Sequence, residues 1–79
     1  MSKALDQAIK YVRENKTWTA AEERVALDNI DHMRCSLQEA SDKIYCDIHD
    51  LMEEWSEAND MSEGWWYYEA NEDDIFFAL

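Results

Sequence analysis

Two histidine–cysteine pairs and a run of carboxylates are the side chains in this sequence with chemistry to offer. His32-x-x-Cys35 and Cys46-x-x-His49 contain every Cys and His in the chain, arranged as mirror-image pairs. Residues three apart share a helix face, so each pair offers an imidazole and a thiolate to one Zn²⁺. On a straight helix, however, about 16 Å of rise separates Cys35 from Cys46, against ligand bonds of about 2.0–2.3 Å. A site built from His32, Cys35, Cys46 and His49 therefore needs a helix break near Ser36 or an antiparallel dimer. The spacing matches no loop-based zinc knuckle, and the expectation is two ordinary thiols and no metal. The same separation forbids a disulfide within one helix, and reduced thiols fit a cytoplasmic setting.

The carboxylates make the stronger pattern. All seven Lys and Arg lie in residues 1–43, whereas residues 44–79 carry eleven Asp and Glu and no Lys or Arg. Asp47, Asp50, Glu53, Glu54, Glu57 and Asp60 fall on one arc of a helical wheel, opposite its apolar side. Over those positions a helix rises roughly 20 Å, or about 4 Å per charge, and one strand of B-DNA presents a phosphate about every 3.4 Å. Such a face suits the basic groove of a nucleic-acid-binding protein. The aromatic run Trp65-Trp66-Tyr67-Tyr68 is placed to add contacts where bases would stack.

Composition narrows the function classes. With 79 residues and a net charge of −12, the chain allows one domain, residues 1–79, and excludes direct nucleic-acid binding, which needs clustered Lys and Arg. No apolar run reaches the roughly 18 residues of a membrane span. Four Trp, four Tyr and two Phe supply more apolar surface than a disordered acidic tail carries. One Gly and no Pro leave almost no loop for an oxyanion hole or a phosphate cradle. Neither an enzyme, a catalytic residue nor a cofactor is expected. In size, acidity and the lack of basic residues in one half, the chain resembles the small nucleic-acid mimics that phages and mobile elements use against restriction, CRISPR or repair enzymes. That resemblance is one of composition and rests on no motif. It implies an inhibitor that occludes a basic nucleic-acid-binding partner. The alternative is a helical interaction or regulatory module that self-associates, as a homodimer, through its apolar seam and aromatic C-terminus, with or without zinc.

The elements that must position these residues read as all-α. Leu5, Ile9 and Val12 repeat at helical spacing behind the cap Ser2, which predicts a helix over residues 3–14. Thr19-Ala20-Ala21-Glu22 matches a capping box, and no Gly or Pro follows until after Ala58. Ile30, Met33, Leu37, Ala40, Ile44, Ile48, Leu51, Trp55 and Ala58 then fall within an arc of about 80°. This predicts a long amphipathic central helix over about 20–58 with the first helix packed on it. Ser36-x-x-Glu39 is a second capping box and marks a possible break near 36. The first helix covers only part of so long a seam, so the aromatic C-terminal segment should fold back on the rest as a short helix or a hairpin, unless a second copy covers it.

Overall fold

In the computed structural model, which describes residues 2–79, every regular element is helical. Helix α1 (Lys3–Asn15) starts where Ser2 accepts a hydrogen bond from the Leu5 N–H, and its apolar residues Leu5, Ala8, Ile9 and Val12 are all buried. Helix α2 (Ala20–Met33) opens on the complete capping box, with Thr19 accepting from the Glu22 N–H and the Glu22 carboxylate accepting from Thr19. Between them Trp18 is buried, with Lys16 Nζ 5.8 Å from its ring centre.

The uninterrupted central helix does not form, and the break near 36 does. Arg34 takes the left-handed conformation, φ 51° and ψ 39°, which ends α2. For a residue with a Cβ this costs roughly 1–2 kcal/mol. Ser36 then caps a single turn, α3 (Leu37–Ala40), by accepting from the Glu39 N–H. Ser41 breaks the chain again with an extended backbone and caps α4 (Asp42–Ala58) by accepting from the Ile44 N–H. These corners repay their strain by bringing Leu37 and Ile44, both fully buried, into one core. Each such side chain contributes roughly 1.5–3 kcal/mol when removed from water.

Because the helix is interrupted, the wheel that aligned nine apolar residues holds only within α4. Ile44 and Ile48 are buried, joined by Met52, and α1 packs along α4. Leu51 and Trp55 are half-buried, and Ala58 is exposed. Upstream of the corner, Met33 is 72% exposed and Ile30 only partly covered.

The C-terminal segment folds back as helix, not as a hairpin. Gly64, at φ 71°, opens a 3₁₀ turn over Trp65–Tyr68. Asn71 accepts from the Asp74 N–H, and the Asp74 carboxylate accepts from Asn71, starting α5 (Glu72–Ala78). Trp66, Ile75 and Phe76 are buried against α4 and complete the core. Asp73 ties the segment to the break by accepting from the Leu37 N–H at 2.9 Å. The seam segment from Leu37 to Met52 is thus largely covered from within the chain. Among the described residues no helix is long and apolar enough to cross a membrane.

Candidate functional site

Helix α4 turns its two faces to different uses. Ile44, Ile48, Met52 and Ser56 recur every fourth residue and are buried. At 100° per residue, Asp47, Asp50, Glu53, Glu54 and Glu57 then occupy the opposite side of the same cylinder. Together they run roughly 15 Å along it. Asp60 is not part of this row, because α4 ends at Ala58 and Asp60 sits in the following turn at φ 54°.

Two of the five have partners. Asp47 accepts from Thr17 Oγ1 at 2.7 Å. The Glu54 carboxylate faces the Tyr11 phenol and raises the Tyr11 pKa above its ordinary value. Both contacts tie α4 to α1 and the connection after it. Asp50, Glu53 and Glu57 make no hydrogen bond within the chain among the described residues. None of the eleven acids after residue 43 lies within 4.0 Å of a Lys or Arg side chain among the described residues, and Glu72 alone has an imidazole, His49, at that range.

The charge is also placed against the helix's own field. The last turn of α4 holds Glu57 and no basic residue, although the negative end of a helix dipole disfavours an anion there by about 0.3–1 kcal/mol. In contrast, Glu72, Asp73 and Asp74 occupy the first turn of α5, where the dipole and the cap favour them. The acids of α5 have a local structural role. On outer α4, Asp50, Glu53 and Glu57 make no hydrogen bond within the chain among the described residues.

The aromatic run divides by direction. Trp66 is fully buried, and Trp65 is half-buried, its ring 5.6 Å from that of Trp55 and its Nε1 donating to Ser56 Oγ at 2.6 Å. Ser56 in turn donates to the Met52 carbonyl at 2.7 Å, so this buried hydroxyl is satisfied on both sides. A 3₁₀ turn advances about 120° per residue, so four consecutive aromatics cannot share a face. By burial the two tryptophans serve the core, and Tyr67 and Tyr68, 46% and 92% exposed, are the ones that reach solvent.

Tyr67 belongs to a polar cluster that the sequence pattern did not reveal. Its Oη donates to Glu72 Oε2 at 3.0 Å, and His49 Nδ1 lies 2.9 Å from the same phenol and 3.6 Å from Glu72 Oε2. Since the phenol proton points to the carboxylate, His49 is assigned the Nδ1–H tautomer, donating to the phenol oxygen. Glu72 is only 2% exposed, and the Tyr45 phenol also faces it. The Glu72 carboxylate, with burial, pushes Tyr45 up to about 12, and burial followed by the Glu72 hydrogen bond raises Tyr67 as well. Both phenols remain donors through the neutral range and hold α4, the 3₁₀ turn and α5 around one carboxylate. The partners lie 27, 23 and 5 residues from Glu72 in the chain, a separation that leaves no local motif.

This arrangement predicts an alkaline weakness. Tyrosine in the unfolded chain ionises near pH 10, whereas folded Tyr45 holds its proton to about 12. Below pH 10 its contribution is complete. From pH 10 to 12 the folded state binds more protons than the unfolded one, so stability falls as pH rises. Thermal melting across that window should show a steep loss in the wild type and a shallower one in Tyr45→Phe/Tyr67→Phe. Equal slopes would remove the cluster from the explanation.

The zinc candidates are not assembled. His32 is exposed at the end of α2, Cys35 is half-buried with its Sγ 3.6 Å from the Asn29 carbonyl, Cys46 is exposed on α4, and His49 is held by Tyr67. Among the described residues no three His, Cys, Asp or Glu side chains are grouped to hold a metal ion. Both cysteines are free thiols. No family model, curated protein or solved structure matches the chain.

Proposed function

We propose that this protein is a stoichiometric inhibitor that sets the outer face of α4 against the basic surface of a nucleic-acid-binding protein and occludes it. The carrying observation is that Asp50, Glu53 and Glu57 stand on α4 with no ion pair and no hydrogen bond within the chain among the described residues. Charge that raises self-repulsion and opposes the helix dipole persists most simply where a cationic surface uses it. Exposed Tyr67 and Tyr68 flank the helix as aromatic contacts. The reading needs no catalytic step, cofactor or membrane, and two free thiols accord with the cytoplasm. It is of the anti-CRISPR and anti-restriction kind in its chemistry: mimicry of a phosphate row by carboxylates.

The test is competition. A partner captured from the native host, once purified, should bind this chain and its own DNA or RNA in mutually exclusive fashion. Its affinity for the chain should fall steeply between low and moderate salt, because the attraction is between exposed charges. A ternary complex with nucleic acid bound at full affinity would refute occlusion.

A further inference from the structure

Helix α2 is the least engaged of the long helices. Of its 14 residues only Ala26 is buried, while Val25, Leu27 and Met33 are 60%, 41% and 72% exposed. An amphipathic helix of this length ordinarily buries three or four side chains every two turns. Beside it runs an open cleft of about 460 Å³, with Leu27, Ile30 and Phe77 as its apolar surface and Arg24, Asp28 and Asp31 along its rim. Phe77, on α5, is 60% exposed. Such clustering of large apolar side chains on a strongly charged protein marks a contact surface.

The rim charges specify the occupant. Residues 44–79 hold no Lys or Arg, so two copies meeting through α4 or α5 bring acid against acid. Along the open edge of α2 the signs change, from Arg24 to Asp28 and Asp31, and none of the three makes an ion pair within the chain among the described residues. Two such helices laid antiparallel across a two-fold axis between Leu27 and Asp28 place Arg24 of each copy opposite Asp31 of the other. Both lie about 5 Å along the helix from that axis, within reach of an arginine side chain. A parallel pairing sets Arg24 on Arg24 instead. A uniformly basic partner meets Arg24 and a uniformly acidic one meets Asp28 and Asp31, whereas the same helix read backwards pairs Arg24 with Asp31 twice and leaves only Asp28 beside its own copy at the axis.

We infer that α2 is a self-association face, joining two copies antiparallel through Leu27 with reciprocal Arg24–Asp31 pairs, as a two-fold interface requires. The apolar patch is small, so the dimer dissociates on dilution. This surface is separate from the α4 face and differs from the seam named by the sequence, most of which the chain covers itself.

Sedimentation equilibrium of the full chain up to millimolar concentration should show the mass rising from 9.4 kDa toward twice that value. Leu27→Asp should stay monomeric with unchanged helicity, since Leu27 contributes to no buried contact in the core. Arg24→Asp and Asp31→Arg should each raise the dissociation constant by about tenfold. The double exchange, Arg24→Asp with Asp31→Arg, should recover wild-type association, an outcome that loss of folding in either variant does not produce. A wild type that stays monomeric throughout, a Leu27→Asp chain that still dimerises, or a double exchange no better than its single parents overturns the proposal.

Discussion

Trp66→Ala is expected to leave the protein unfolded or without fixed tertiary packing at room temperature. Trp66 is the largest fully buried side chain, stacked on Tyr67 at a 4.0 Å centroid distance and 6.0 Å from the His49 ring. Truncating a buried Trp to Ala costs about 3–5 kcal/mol, lost transfer energy and a cavity together. The whole stability of a 79-residue domain is about 4–12 kcal/mol. Removal of Trp66 also takes the backing from Tyr67, whose phenol holds Glu72. Trp66→Phe should be much milder. It keeps a ring in place and eliminates an indole N–H that is buried without a partner among the described residues, a group whose desolvation costs about 1–3 kcal/mol. Urea unfolding and near-ultraviolet circular dichroism of both variants check this. A Trp66→Ala chain within about 1 kcal/mol of wild type would place the core elsewhere.

The same residue shows where reading from sequence stops. The aromatic run stood out, yet its direction depends on the left-handed Gly64 and on a 3₁₀ turn that points Trp66 inward and Tyr68 outward. Helix starts were legible because caps are local: Ser2, Thr19 with Glu22, Ser36 and Asn71 each bond a backbone N–H three residues on. Helix ends were harder. Arg34 stops α2 in a conformation usually left to glycine, and Ser41 is extended in a stretch that no Gly or Pro marks. An unbroken apolar period therefore ran through two real corners, since Leu37 and Ile44 reach one core by bending as well as by phase. The acid row was legible over Asp47 to Glu57 because all five sit within one helix. It failed at Asp60, just past the helix end. The Glu72 cluster was invisible because tertiary folding alone unites its members.

Neutralising the centre of the acidic face should separate binding from folding more cleanly than any other change. In Asp50→Asn/Glu53→Gln/Glu57→Gln no hydrogen bond among the described residues is lost, and the buried face of α4 is untouched. Two of the three changes fall in the C-terminal half of the helix, where removing negative charge relieves a dipole penalty of a few tenths of a kcal/mol per site. Mutual repulsion falls as well, so the melting temperature should hold or rise slightly. Affinity for the basic partner should fall sharply. Each carboxylate paired with Lys or Arg and shielded from water contributes about 1–3 kcal/mol, and each at the rim less than about 1. Three together span a loss from about tenfold to well over a thousandfold, since each 1.4 kcal/mol is a factor of ten. The salt dependence should flatten along with the affinity, because fewer ionic contacts remain to be screened. Tyr68→Ala is the contrasting change: it removes a 92% exposed ring and no charge, so it should weaken binding while leaving the salt slope intact. A triple variant that binds as tightly as wild type, with the same slope, would mean that the carboxylates of α4 serve solubility and that the partner is recognised elsewhere.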